Sequence, residues 1–586
     1  MLRETQRSVV QIYSPLPKLA RWLLFRDAHR CPYLHGLRAH LLCNVCRLVN
    51  EVGVDTCFGT KEGIKSINTS RFQTFMCITM QIDAIENSLL QAAINPFLKR
   101  IIGLIDKECP RDGSLLLNSL KDFLGEPISL CPACKSISTR MAKPFYRLGS
   151  NLLRVDKGFM QNQFLKDQFG EAWLRGFGLM MKGVEKYGVR IPLTPAGPFE
   201  IVWNVTYQCN LRCKHCYENA GQKRPELSTD EAKQVLDRIS KLSGIGVPAL
   251  SFSGGEPLAR KDFFELAAYA RKRVGYLSIA SNGTLITRDN AKRIKDVGVD
   301  YVEISVDGAT PGVHDSFRGI PGAFERAIEG VKNSLEEGVD TCIATVLHRD
   351  NLNELDKLVG LSKQLGTRFM HFNYIPTGRA KSHVELDLTP NQRYHVLETI
   401  GKETVGLYMQ KKEEEIKCGK SDIKVDRFFS TCPQYASVTK ELSQRQGGKF
   451  MVEAHYAAKQ GVENVANFLG GCGAGRLYCC LEPNGDIKPC VFFQTSNETV
   501  LGNMLKDSFE EIWDTHPLLW KLRIREDLED CLVGGEKVGC GECPDKYICG
   551  GCRARAYSYF NGNVKMPDVG CIHNEPLWEK ISNPRR

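Results

Sequence analysis

The 586-residue chain has no apolar run of the ~18 residues that a membrane-spanning helix needs. It also lacks the basic, then apolar, then small-residue pattern of a secretory leader. Dense basic runs are missing as well: the net charge of +10 is modest for this length and does not point to a nucleic-acid partner. A basic groove would still suit an acidic peptide, a carboxylated tetrapyrrole or a phosphorylated lipid. Tryptophan is scarce, at 6 residues, but 42% hydrophobic residues are enough for about three domain cores. A cytoplasmic protein is expected, with peripheral membrane attachment as its one variant.

Cysteine is not scarce. The 24 cysteines would form disulfides in an exported protein, but in a reducing compartment their spacings read as metal chemistry. The most informative are Cys209, Cys213 and Cys216, in the run Tyr-Gln-Cys-Asn-Leu-Arg-Cys-Lys-His-Cys-Tyr. This C-x3-C-x2-C spacing can place three thiolates on three irons of one [4Fe-4S] cluster and leave the fourth iron open to an outside molecule. The competing reading is a zinc knuckle, which wants C-x2-C pairs and a fourth ligand. His215 lies between two of the cysteines and is poorly placed to be that ligand.

Around this loop the sequence alternates between strand and helix. Glu200 to Tyr207, Ala249 to Ser253, Tyr276 to Ala280, Tyr301 to Val306, Thr341 to Leu347 and Arg368 to Tyr374 are strand candidates. Thr229 to Leu242, with Ser228 as cap, and Ala323 to Glu336 read as helices. Six such units predict an α/β fold, a parallel sheet curved into a partial (β/α)6 barrel, with its chemistry at the C-terminal strand ends. The ends are Ser253-Gly254-Gly255-Glu256-Pro257, Ser281-Asn282-Gly283 and Ser305-Val306-Asp307-Gly308. Two glycines let backbone come close to a ligand, and the Glu256 carboxylate suits a cationic amine. Pro376-Thr377-Gly378-Arg379 is expected to form part of the floor, with Arg379 either catalytic or a structural carboxylate partner.

In this order of motifs, residues 196 to 380 resemble the radical S-adenosylmethionine (SAM) superfamily. The resemblance implies that SAM chelates the open iron held by Cys209, Cys213 and Cys216. It further implies that Gly254, Gly255 and Glu256 hold the methionine amine, and that Asn282, Ser305 and Arg318 contact the ribose or carboxylate. Reductive cleavage of SAM to a 5'-deoxyadenosyl radical, hydrogen abstraction, an anaerobic setting and a ferredoxin or flavodoxin electron donor are expected with it.

A second cysteine-rich region spans residues 471 to 586. It contains Gly-Cys472-Gly-Ala-Gly-Arg, a Pro483-Asn-Gly-Asp486 hairpin turn, Cys490, then Cys540-x2-Cys543-x5-Cys549-x2-Cys552 and Cys571. By spacing alone, zinc is the competing reading. The region resembles the SPASM domain and, in detail, the branch with the iron-coproporphyrin decarboxylase and a heme d1 enzyme. That implies one auxiliary [4Fe-4S] cluster on Cys472, Cys490 and Cys552, and another on Cys540, Cys543, Cys549 and Cys571. An extra early ligand would be Cys479, Cys480 or nothing, and Cys531 is a spare candidate.

Neither resemblance covers residues 1 to 195, which are expected to be mainly helical. The pairs Cys43-x2-Cys46 and Cys131-x2-Cys134 could converge on zinc or iron, or be separate buried thiols; Cys31, Cys57, Cys77 and Cys109 have no recognisable spacing. Leu16 to Leu42 and Phe164 to Tyr187 combine apolar, aromatic and basic residues and suit either a membrane surface or the protein's own core. A linker is expected at 191–198, and a charged, partly helical bridge at 381–470. Three function classes stand: a radical SAM enzyme acting on a peptide, tetrapyrrole or other metabolite; a radical SAM enzyme modifying lipids; and a non-catalytic iron-sulfur or zinc scaffold.

Overall fold

The computed structural model describes residues 99–582 apart from 110–112, 144–145, 148–156, 167–168, 420, 422, 426 and 448–468. Leu16 to Leu42, Cys43 and Cys46 lie outside the described residues. The six expected strands form as β1 (Glu200–Asn204), β2 (Ala249–Ser253), β3 (Tyr276–Ser281), β4 (Tyr301–Ser305), β5 (Asp340–Leu347) and β6 (Arg368–Asn373), each parallel to the next.

Their alternation sets two faces. Ile201, Trp203, Leu250, Phe252, Leu277, Ile279, Val302 and Ile304 are buried in one core with the surrounding helices. The intervening residues, Glu200, Ser278 and Glu303 among them, face the lumen of the curved sheet. The helix Thr229–Ile239 starts at a capping box, in which Ser228 and Glu231 bond reciprocally. Apolar periodicity likewise places the helix Ala323–Glu336, with Ala327 and Val331 in the core.

The sheet is wider than expected. It has ten strands, because β7 (Phe428–Ser430) joins β6, and β8 (Tyr478–Leu481) pairs parallel with β1 at the other edge. β9 (Asp486–Lys488) and β10 (Gly502–Asn503) continue that edge, with the expected turn at 483–486 joining β8 to β9. The cysteine-rich region thus shares the barrel's sheet, and the unpaired backbone of β1 explains why it can. β7 comes from the bridge, whose long helix Pro390–Cys418 packs beside it.

Two segments of the first third pack into the body of the protein. The segment 191–198 is a packed seam, most of it buried: Ala196 donates to Leu179 O at 2.9 Å and Trp513 Nε1 to Pro195 O at 2.9 Å. The helix Gly170–Tyr187 turns Leu174, Leu179, Met180 and Val184 into this protein's interior, so its apolar face is taken up by the protein's own core. Among the described residues no helix is long and apolar enough to cross a membrane.

Candidate functional site

Cys209, Cys213 and Cys216 lie on the loop after β1, at the C-terminal mouth of the sheet. Backbone amides of Leu211 and Ala220 donate to the sulfurs of Cys209 and Cys216, both at 3.4 Å, and Arg318 Nη1 approaches Cys213 Sγ at 3.7 Å. Donors aimed at sulfur favour thiolates. Without an ion, burial pushes the Cys209 thiol up to about 12 and raises Cys213, so these ligands bind metal by releasing protons. The described residues bring three metal-ligating atoms within 4.8 Å of one another only at Cys109, Cys131 and Cys134. The three loop sulfurs do not all lie within 4.8 Å of one another, wider than the about 3.8 Å between two thiolates on one tetrahedral zinc, and that spread suits three corners of an iron-sulfur cluster.

The glycines of the β2 end allow a close backbone approach within the protein. A Cβ on Gly255 would lie 2.0 Å from Gln208 O, and one on Gly254, at φ +126°, 2.7 Å from Thr206 O. They let β2's end lie against the backbone leading into the cysteine loop, where Gly255 N donates to Thr206 O and Glu256 N to Gln208 O, both at 2.8 Å. Glu256 is held by donors of the protein itself. Its carboxylate is wholly buried and accepts from Ser281 Oγ and Asn282 N, each at 2.8 Å, and from Leu258 N at 3.2 Å. Burial raises its pKa against these donors. It ties β2's end to β3's end.

Asn282 stands beside the loop, its Nδ2 4.0 Å from Cys209 Sγ and 2.9 Å from Asn210 Oδ1. Arg318 forms a buried ion pair with Asp307, 2.6 Å, and supports the loop from the side of Cys213. That pairing engages the guanidinium expected to bind a carboxylate. Ser305 ends β4 opposite Ala344, half buried, and no side-chain hydrogen bond ties it to the others among the described residues. His215 stacks on Phe317 at 4.4 Å, and burial with Arg318 nearby holds it well below its ordinary pKa, as a neutral ring.

Arg379 has no carboxylate partner among the described residues. It donates from Nε to Cys213 O at 2.8 Å and from Nη1 to Ala220 O at 2.9 Å, while its backbone amide meets Cys216 O at 3.0 Å. Its partners are carbonyls of the cysteine loop, which it clamps from the β6 side. Tyr217 and Glu218, singled out by no motif, also belong here. Tyr217 OH donates to Asn204 Oδ1 at 3.1 Å, and burial, with Glu482 close by, lifts the Glu218 carboxyl to about 8. Their one sequence signal is adjacency to Cys216.

The C-terminal thiols fall into two groups. Cys472, Cys490 and Cys552 share one buried cluster, and Tyr478 OH donates to Cys490 Sγ at 3.2 Å. In the other, the Cys571 thiol is raised by burial and by Asp568, Cys540 and Cys543, and Cys549 by burial and by Cys571. Alternation along β8 puts Cys479 in the sheet's outer core and Cys480 toward Cys490, whose charge it feels. Cys531 sits apart, on the hairpin strand Asp530–Val533 packed near Trp578. Arg525 is fully buried, bonds Cys549 O at 3.1 Å and Cys472 O at 3.0 Å, and has no carboxylate partner among the described residues. Such a cation requires nearby negative charge, and thiolate-ligated clusters on these cysteines fit that requirement.

A groove of about 430 Å³ opens between the β6 end and the C-terminal region, lined by Thr377, Lys381, Phe492, Gln494, Tyr557 and Ser558 among others. Phe492 joins the two halves: its amide lies 3.5 Å from Cys490 Sγ, and its ring meets Tyr217, next to Cys216, edge-on at 5.6 Å.

Comparison with known proteins agrees with this geometry. Residues 203–361 match the Radical SAM superfamily model, and residues 472–544 match SPASM, an iron-sulfur cluster-binding domain. The chain is 33% identical over 380 residues to the AdoMet-dependent heme synthase of Methanosarcina barkeri, covering 64% of this chain and 97% of that protein. It is 30% identical to the mycofactocin maturase MftC of Mycobacterium tuberculosis, covering 65% and 84%. Among solved structures, Streptococcus suis SuiB bound to S-adenosylmethionine aligns with a TM-score of 0.50 at 18% identity, covering 75% of this chain and 89% of that one.

Proposed function

Since the chain belongs to the radical SAM superfamily and carries a SPASM iron-sulfur domain, we propose that it abstracts hydrogen from a carboxylated tetrapyrrole held in the groove between barrel and SPASM domain. The observation that carries this reading is Phe492, which lines the groove while touching both the Cys490 loop and Tyr217 beside Cys216. When bound, SAM and its [4Fe-4S] cluster supply a 5'-deoxyadenosyl radical, and the auxiliary clusters supply a path for one electron.

The protein's own residues position and enclose. Cys209, Cys213 and Cys216 would hold the SAM cluster, with Arg379 and Arg318 fixing their loop. Gly254, Gly255 and the Glu256 clamp bring the β2 end to that loop, and Asn282 presents its amide beside Cys209. Cys472, Cys490 and Cys552, and Cys540, Cys543, Cys549 and Cys571, would hold the auxiliary clusters. In the groove, the Phe492 and Tyr557 rings offer flat apolar faces and Lys381 a cation for a carboxylate. The tetrapyrrole class also rests on relatives named AdoMet-dependent heme synthase and, in Methanosarcina barkeri, Fe-coproporphyrin III synthase. A ferredoxin or flavodoxin would deliver the electron.

The test is 5'-deoxyadenosine formation by the anaerobically reconstituted, reduced chain with tetrapyrrole, peptide or lipid fractions added separately. Stimulation by tetrapyrroles supports the proposal, and stimulation by peptides alone would replace it with a maturase. Cys213→Ala should abolish turnover in every case.

A further inference from the structure

Outside both cysteine-rich regions, the structure gathers three thiols that the sequence leaves apart. Cys109 has no recognisable spacing, yet it lies on a two-residue ladder, Glu108–Cys109 against Gly113–Ser114, that brings it to the C-x2-C pair Cys131 and Cys134. The three sulfurs all lie within 4.8 Å of one another. No other trio of His, Cys, Asp or Glu groups among the described residues does this.

The spacing fits one tetrahedral thiolate-bound ion. Two sulfurs on one tetrahedral zinc, each at about 2.3 Å from it, stand about 3.8 Å apart. Cys109 Sγ and Cys131 Sγ are 3.7 Å apart. A disulfide would need about 2.05 Å, and the cluster loops spread their sulfurs more widely. The Cys134 amide points at Cys131 Sγ from 3.4 Å, the kind of contact that favours thiolate. Leu115, Leu130 and Ile137 pack around the trio, with Cys109 and Cys134 buried and Cys131 half-buried at the edge of this small core.

We propose that Cys109, Cys131 and Cys134 bind one zinc ion in a thiolate site distinct from the iron-sulfur clusters, with a further donor at the fourth corner. The ion fastens the 108–114 ladder to the helix Pro132–Ile137, two segments otherwise joined through the helix Leu115–Leu124. The role is structural, since the ion joins two segments of the chain and its thiolates sit among Leu115, Leu130 and Ile137. This inference is independent of the radical SAM reading.

The experiment uses the full chain, purified anaerobically with its clusters. Metal analysis should find about one zinc per chain, and zinc-edge X-ray absorption should show sulfur neighbours at about 2.3 Å. Cys109→Ser/Cys134→Ser should lose that zinc while iron content stays at the wild-type level. Should that variant fail to fold, titration of the native chain with a mercurial in the presence of a chromogenic zinc chelator should release the metal as thiols are blocked. A chain without zinc, zinc without sulfur neighbours, or zinc retained by the variant would each overturn the proposal.

Discussion

Gly255→Ala tests whether the β2 end is shaped to hold the cysteine loop. The added methyl would sit 2.0 Å from Gln208 O, 2.7 Å from Gln208 C and 3.0 Å from Tyr207 O, all backbone atoms that no rotamer change can move. Nonbonded heavy atoms settle near about 3.5 Å, so the two backbones must part by more than about 1 Å. The bonds from Gly255 N to Thr206 O and from Glu256 N to Gln208 O, each 2.8 Å, then fail together. Two lost hydrogen bonds and the overpacking amount to about 3–5 kcal/mol. Misplacing Cys209 by about 1 Å should lower SAM cleavage about 100-fold. The assay is 5'-deoxyadenosine formation after anaerobic reconstitution, with iron content measured in parallel. Gly360 is the control: it is exposed in the helix Leu355–Leu365, and nothing lies within 4 Å of its Cβ position. Gly360→Ala should leave turnover unchanged and add about 0.5–1 kcal/mol of stability. If Gly255→Ala kept a third or more of wild-type SAM cleavage, the clamp would not position the loop.

Three more predictions concern residues outside the cysteine motifs. Arg379→Ala removes donors to Cys213 O and Ala220 O and should cost about 10-fold in SAM cleavage, with faster iron loss on chelator challenge; Lys, a point donor, should not restore it. Asp387→Asn breaks a wholly buried pair with Arg393, 2.5 Å, in which Asp387 also accepts from Tyr559 OH of the SPASM domain at 2.9 Å. It should lower stability by about 3–5 kcal/mol in denaturant unfolding. In the barrel lumen, burial raises the Glu303 carboxyl from 4.5 to about 8. The folded chain therefore keeps a proton that the unfolded chain releases above 4.5, and stability falls as pH rises toward about 8. Glu303→Gln should remove this trend, its advantage over wild type growing by about 1.4 kcal/mol per pH unit within that window, read from unfolding midpoints at about pH 6 and about pH 8.

Where local chemistry decides, the residues alone were enough. Period-two alternation placed β1 to β6, the Ser228 cap placed its helix, and C-x3-C-x2-C put the open cluster site on the loop after β1. The resemblance to the SPASM domain, and no spacing rule, separated the two groups of C-terminal thiols, since spacing alone would have paired Cys549 with Cys552. Contacts between distant segments were not legible. That β8 would extend the barrel's sheet depends on an edge left open by β1, and no residue of Tyr478–Leu481 signals it. Glu256 looked like a ligand for an amine because a carboxylate after two glycines is chemically suited to one. Only the folded chain surrounds it with Ser281, Asn282 and Leu258 donors. Arg379 reads as a lone cation until the β6 end folds over the cysteine loop. Cys109, 22 residues before Cys131 and matched by no spacing rule, is brought to Cys131 and Cys134 only by a two-residue ladder. The sequence by itself determined which chemistry the chain can carry, since ligand type and short-range spacing are covalent facts. The tertiary structure decided which residues position that chemistry, because buried donors, charges and thiols acquire their roles from whatever packing brings against them.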